Sequence, residues 1–260
     1  MEPITPKTPS NVQSVDRALL IIDLLAEHRD GLGITELGSL LGVAKSTAHR
    51  LISSLKAKGY VKQDPVTEKY HLGLKFLEIS SIVSESLEIR TIAHPFMERL
   101  VAETGETAHL VILEDGEISY IDKLEAPNTI RMFSRIGKRA PVHCTGAGKA
   151  ILAHLPERQV EQIVADRGLT VYTEKTVKDL PELLERLELI RSRGYSIDDE
   201  EHELGIRCVA APIFDHRGKV VAGLSVAGPL MRMTEDRMTQ CVEHVTFYAR
   251  EISKKIGFRA

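Results

Sequence analysis

ITELGSLLGVAKSTAHRLISSLKAKGYVKQDPVTEKYHL, residues 34–72, is the stretch on which the reading of this chain turns. Its first part, 35–41, carries Leu37, Leu40 and Leu41 at helical spacing and then meets Gly42 and Val43, where the chain must turn. A second helix follows over about 44–58. There Ala48, Leu51, Ile52 and Leu55 fall at i, i+3, i+4 and i+7, while Lys45, Ser46, Thr47, His49, Arg50, Ser53 and Ser54 lie largely off that stripe. Two short helices joined by a glycine-containing turn, the second with a basic, hydroxyl-rich outer face, predict a helix-turn-helix. Next, 60–63 and 69–72 are short β-prone runs around Asp-Pro-Val-Thr-Glu, and they predict the hairpin of a winged helix.

Charge points to a polyanion as partner. Between Leu37 and Gln63 there is no Asp or Glu but there are five basic residues, Lys45, Arg50, Lys56, Lys58 and Lys62, in a chain of formal net charge −3. Each phosphate neutralised by such a group releases counterions, so basic charge gathered on one small face suits duplex DNA. A net acidic chain is poorly suited to coating nucleic acid and fits a localised site instead. For the helical pair alone, a solvated corner of a helical bundle explains the pattern equally well; the hairpin and the acid-free run favour DNA.

The 260 residues, 43% hydrophobic, are enough for two domains with real cores. Cys144, Cys208 and Cys241 cannot all pair and show no metal-like spacing, so reduced thiols of a cytoplasmic protein are expected. The densest apolar run, ALLIIDLLA at 18–26, is short and broken by Asp23, and neither a signal peptide nor a membrane span is expected.

Residues 1–11, with prolines at 3, 6 and 9, read as a disordered arm. Over 14–28, Val15, Ala18, Leu19, Ile22, Leu25 and Ala26 form a stripe that backs the two helices and completes a winged domain at 12–73. Residues 74–104 read as linker helices, with Pro95 beginning or kinking the later one. They serve either as a dimer and signal-transmission element or as packing for their own second domain, and the pattern leaves both open. From 105 the period becomes that of strands: 107–113 and 118–124 flank Asp115-Gly116, a hairpin signal, and a third strand is expected at 129–134. Helices are expected after 143, from 157, over 180–193 and over 234–256, and strands at 208–214 and 220–227. Antiparallel hairpins with helices on their faces predict an α+β sensor-like domain at 105–260.

Two segments could meet a small molecule. In Thr145-Gly146-Ala147-Gly148-Lys149, small residues let the backbone approach a ligand and free N–H groups favour an anion. It is not a phosphate loop, because His143 and Ala150 stand where that motif needs Gly and Ser or Thr, and close helix packing explains the turn as well. The run SIDDEEHELGIRC, 196–208, holds five carboxylates; a solvated acidic loop is its ordinary reading, and Asp198 as an acceptor for ligand hydroxyls is the alternative. Cys144 beside His143 lacks an orienting third group, so no catalytic residue is assigned. His143, His202, Cys144 and Cys208 have no spacing that favours a metal, and no motif calls for a cofactor.

SVDRALLIIDLL, ITELGSLLGVAKSTAHRLISSLKAKGYV, KYHLGLKFLE, GAGKAILA, GYSIDDEEHELGIRCVAAPIFD and VVAGLSVAGP, in this order, resemble the IclR family of bacterial transcriptional regulators over about 12–258. The resemblance implies a winged helix-turn-helix followed by a GAF-like effector domain, acting on operator DNA as a homodimer or dimer of dimers. It implies a repressor of a catabolic operon, not an enzyme, controlled by a small anionic metabolite. Carried over by position, the pocket of the glyoxylate-responsive member is similar to Met132, Gly146, Ala147, Asp198, Ile206, Cys208 and Ser225; Ala227 departs, standing where that member has a second serine. The effector is therefore expected to differ, and TIRMFSRIGKRAPVH is similar to members that sense sugar acids such as 2-keto-3-deoxygluconate. On DNA, Lys45, Ser46, Thr47, His49 and Arg50 are expected in the major groove, with Lys62 and Lys69 of the wing on phosphates.

Overall fold

The apolar stripe of the first helix, α1 (Gln13–Glu27), buries Ile21, Leu24 and Leu25. They meet Leu37 of α2 (Ile34–Leu40), Ile52 of α3 (Lys45–Ala57) and Val61 and Tyr70 of the two strands that follow, making one small core. The computed structural model describes residues 12–86, 88–126 and 134–259, so the arm at 1–11 lies outside the described residues. Its contacts divide the chain into two units, Met1–Ser86 and Leu87–Ala260.

In the first unit the turn between α2 and α3 passes through Gly42 at φ +63, a left-handed conformation that glycine adopts without strain. The strands β1 (Val61–Gln63) and β2 (Tyr70–Leu72) pair antiparallel, with Lys62 opposite His71. Asp64 closes the hairpin by accepting the N–H groups of Val66 and Thr67, each at 2.8 Å, and these bonds hold its carboxyl below the usual range. A bridge between Leu32 and Tyr70 ties the wing to the segment before α2. The unit ends with α4 (Lys75–Ser86). It is a winged helix-turn-helix.

The second unit is built on a six-stranded antiparallel sheet. Its strands are β3 (Thr107–Glu114), β4 (Glu117–Leu124), β5 (Arg139–Pro141), β6 (Ser196–Asp199), β7 (Ile206–Phe214) and β8 (Val220–Pro229), in the order β5-β4-β3-β8-β7-β6. Asp115 (φ +50) and Gly116 (φ +78) form the tight turn between β3 and β4. Strand alternation then sorts the residues by face. Leu110, Val209, Ala211, Ile213, Leu224 and Val226 meet α5 (Glu88–Thr104) and α9 (Glu235–Lys255). Val111, Ile118 and Ala210 meet α6 (Gly146–Leu152), α7 (Glu157–Arg167) and α8 (Leu180–Arg193). This helix–sheet–helix arrangement is the expected α+β, GAF-like class.

Two points that the sequence left open are decided, and two short strands went unread. Of the two roles left open for the linker helices, α5 packs on its own second unit, with Ala93, Met97 and Leu100 fully buried there and Glu103 accepting the Tyr248 hydroxyl at 2.7 Å. Of the two places left open for Pro95, at the start of the later helix or within it, Pro95 takes the second, inside α5. The short edge strands β5 and β6 carry too few apolar residues to announce themselves. The strand expected at 129–134 lies, except for Ser134, outside the described residues.

Because Leu100 is fully buried against the sheet, Leu100→Ala should cost about 2–5 kcal/mol of stability in the second unit. Hydrogen exchange should show protection lost in β3, β8 and α9 and retained in α1–α3. Loss confined to α1–α3 would mean that α5 belongs energetically with the first unit.

Candidate nucleic-acid interface and ligand pocket

Helix α3 turns Ala48 and Ile52 into the core, and that orientation leaves Lys45, Ser46, His49 and Arg50 exposed, with Thr47 half-buried. Lys62 is exposed on the wing and Lys69 is half-buried. Among the described residues, the side chains of Lys45, Arg50, Lys62 and Lys69 take part in no ion pair. Elsewhere in the chain basic side chains are heavily used: Arg139 meets Glu114 at 3.0 Å and Asp115 at 3.1 Å, and Lys175 meets Asp199 at 3.0 Å and Glu200 at 2.9 Å. Lys45 and Arg50 on the outer face of a helix, beside Lys62 and Lys69 on a hairpin, form a surface suited to phosphates and base edges.

In the second unit the sheet register assembles a pocket. Asp198 on β6 lies opposite Cys208 on β7, which lies opposite Ala227 on β8; Ala210, Ser225 and His109 form the next row. These side chains share the face toward α6. Gly146, at the start of α6, comes so close that a Cβ there would lie 2.8 Å from Cys208 Sγ, and a Cβ at Gly223 would lie 3.0 Å from the Ala147 carbonyl oxygen. Only glycines let the helix sit this low. Between α6, these strands and β4–β5 remains a cavity of about 300 Å³. Gly146, Ala147, Asp198, Ile206, Cys208 and Ser225 all line it, as does Ala227; Met132 lies outside the described residues.

The polar groups around it are sharply defined. Asp198 is buried, and its Oδ1 accepts the N–H groups of Glu201 at 2.8 Å and His202 at 3.4 Å. Burial is the main cause that pushes its carboxyl up to about 7; Lys149 opposes the shift and Glu201 adds to it. His109 is buried, bonds Ser134 Oγ at 2.7 Å through Nε2, and is driven by burial to about 3, so its ring is neutral at physiological pH. Burial likewise raises the Tyr120 phenol and the Cys144 thiol and pushes Cys208 up to about 12, so neither cysteine offers a thiolate. Among the described residues no group of three His, Cys, Asp or Glu is placed to hold a metal ion.

The acidic run is not a solvated loop. Asp199 meets Arg207 at 2.5 Å, Glu200 accepts the Gly205 N–H at 2.8 Å, and Glu201 forms a buried ion pair with Lys149 of α6, joined by Arg186 at 3.2 Å. Lys149 also donates to the Ile197 carbonyl at 2.7 Å, and Ser196 Oγ donates to the Gly146 carbonyl. Removing one partner of such a buried pair typically costs about 3–5 kcal/mol, because a charge is left without compensation. The network pins Asp198 beside the cavity.

Residues that the sequence reading did not assign to the ligand site add to the lining, His202 having been weighed only as a metal ligand. His109, Tyr120, Lys138, Tyr172 and His202 all face the cavity. Lys138, exposed at the mouth, has no side-chain partner among the described residues. Strand alternation from Asp115-Gly116 places His109 and Tyr120 on definite faces, whereas nothing local marks Tyr172 or His202.

Comparison with known proteins agrees with both units. Residues 82–254 match the model of the bacterial transcriptional regulator IclR C-terminal domain, and residues 14–65 match the IclR helix-turn-helix domain. The chain is 38% identical to the HTH-type transcriptional regulator KdgR of Dickeya chrysanthemi, over 97% of this chain and 82% of that one. It is 36% identical to the transcriptional repressor IclR of Escherichia coli (strain K12), over 97% of this chain and 93% of that one. A crystal structure of an IclR homologue from Microbacterium hydrocarbonoxydans, complexed with 4-hydroxybenzoate, superposes with a TM-score of 0.82 at 25% identity, covering 94% of this chain and 99% of the other. Among the described residues no helix is long and apolar enough to cross a membrane. The chain belongs to the IclR family of bacterial transcriptional regulators.

Proposed function

We propose that this protein is a sequence-specific repressor of a catabolic operon whose hold on operator DNA is set by a small hydroxylated carboxylate, a sugar acid of the 2-keto-3-deoxygluconate type. The observation that carries this reading is a cavity to which α6 brings Gly146 and Ala147 and the strands bring Asp198, Ile206, Cys208 and Ser225. At about 300 Å³ it suits a ligand of few atoms. Lys138 at the mouth, unpaired among the described residues, supplies a cation for the carboxylate, and Asp198, Ser225 and Tyr120 supply partners for hydroxyls. Ala227, without a hydroxyl, separates this ligand from glyoxylate.

On DNA, Lys45, Ser46, Thr47, His49 and Arg50 enter the major groove, and Lys62 and Lys69 meet phosphates. In a homodimer or dimer of dimers two such helices read half-sites about 34 Å apart. The metabolite changes operator affinity only by the difference in its own affinity for the DNA-bound and free forms. An enzyme that uses its winged unit for protein contacts is the rival; the raised Cys144 and Cys208 thiols speak against nucleophilic catalysis in this pocket.

Replacing Arg50 by alanine should weaken operator binding by about 1–3 kcal/mol and relax preference at one position. Lys62→Ala should instead weaken all duplexes alike and lower the salt slope by about 1. Gel-shift titrations at two salt concentrations check both, and unchanged binding in either variant removes that residue from the interface.

A melting-temperature rise on adding 2-keto-3-deoxygluconate should be present in the native chain and much reduced in Lys138→Gln, since ligand that binds only the folded state stabilises it. An equal rise in both would remove Lys138 from the site.

Asp198 gives a pH signature. The folded chain holds its proton to about pH 7 and the unfolded chain releases it near 3.8, so between these values the folded state binds the extra proton. Stability from this group is present below about 3.8 and is lost as pH rises to about 7. Asp198→Asn should therefore gain stability relative to the native chain across that window, as read by thermal melts. A parallel pH dependence of the two proteins would contradict the buried, protonated carboxyl.

A further inference from the structure

A second cleft of about 520 Å³ lies where β6 runs out. Pairing with β6 ends at Ala210, so among the described residues the outer half of β7, from Ala211 to Phe214, has no strand neighbour on that side. Residues from α9, the end of α8 and the segment after α6 surround this open edge, and none of them lines the first cavity. An added β-strand is disfavoured as occupant: Pro212 has no N–H, and the Phe214 N–H already donates to Ser253 Oγ at 3.0 Å.

The lining is aromatic and cationic. Phe214 and Phe258 stack with centroids 5.3 Å apart at 29°, and His154 stands edge-on to Phe214 at 4.9 Å. Arg193 lies 4.5 Å over the Tyr195 ring and spends its Nε on the Tyr195 carbonyl at 2.8 Å, leaving its terminal nitrogens without partners among the described residues. Arg250 is exposed and has no partner among the described residues. His154 Nε2 is enclosed and likewise makes no hydrogen bond. Among the described residues no carboxylate lines the cleft. Two unspent guanidiniums beside a pair of phenyl rings match a flat apolar body that ends in a bidentate anion.

We infer that this cleft is a second ligand site, for a small aromatic carboxylate whose ring packs against Phe214 and Phe258 and whose carboxylate is met by Arg193 and Arg250. This inference is independent of the sugar-acid reading of the first cavity.

The test uses the full chain with its six phenylalanines replaced by 4-fluorophenylalanine, with benzoate as probe and benzamide as its neutral counterpart. Fluorine resonances of positions 214 and 258 are assigned with Phe214→Leu and Phe258→Leu. Millimolar benzoate should shift these two saturably. Benzamide, and benzoate added to Arg250→Gln, should each bind about tenfold or more weakly, as expected for loss of a charge-assisted contact. Arg250 is exposed, so this variant leaves the core intact, which unchanged remaining resonances would verify. Three outcomes overturn the inference: shifts confined to the other four phenylalanines, equal affinity for benzamide, or undiminished benzoate binding in Arg250→Gln.

Discussion

A side chain at Gly146 would collide with Cys208 Sγ, one at Gly148 with the Val142 carbonyl, and one at Gly223 with the backbone of Ala147. These three absences of a Cβ let α6 rest almost directly on the sheet, and much else in the second unit follows from that approach. With the helix so low, Lys149 reaches past it to the buried carboxylate of Glu201 and the Ile197 carbonyl, which fastens β6 and the turn after it. Asp198 is thereby held beside a small cavity, away from water, with its carboxyl raised toward neutrality. Close packing makes the space, and the buried charge network decides which polar groups border it.

The first unit solves a different problem. Its core needs only one stripe of each helix, so the opposite stripe of α3 is free to carry charge, and among the described residues no acid pairs with Lys45 or Arg50. Cations left unpaired on a small face cost folding little and suit a polyanion that completes them. The same logic separates the two cavities of the second unit. One is bordered by Asp198, Glu203, Lys138 and Arg139, the other by two arginines and two phenyl rings, so they present different chemistry to a ligand.

Much of this was legible in the sequence because it is local. The winged unit follows from helical spacing over 34–58 and a hairpin with turn residues, and the Asp115-Gly116 turn announces β3 and β4. The resemblance to IclR regulators located Gly146, Ala147, Asp198, Ile206, Cys208 and Ser225, which the register does bring together. What stayed hidden depends on partners distant in the chain. Ser196 to Asp199 looked like the start of a solvated acidic loop because a four-residue edge strand has no periodicity to show, and the answering charges, Lys149, Lys175, Arg186 and Arg207, are spread over some sixty residues. His109 and Ser225 stand opposite each other only through the pairing of β3 with β8.

The central claim is that the space beneath α6 receives the controlling metabolite. A crystal structure of the full chain grown with 2-keto-3-deoxygluconate tests it most directly. The account predicts ligand density between the Gly146–Ala147 backbone and the side chains of Asp198, Cys208 and Ser225, with the carboxylate toward Lys138. An ordered sugar acid bound elsewhere, with this space filled by protein side chains, would contradict it.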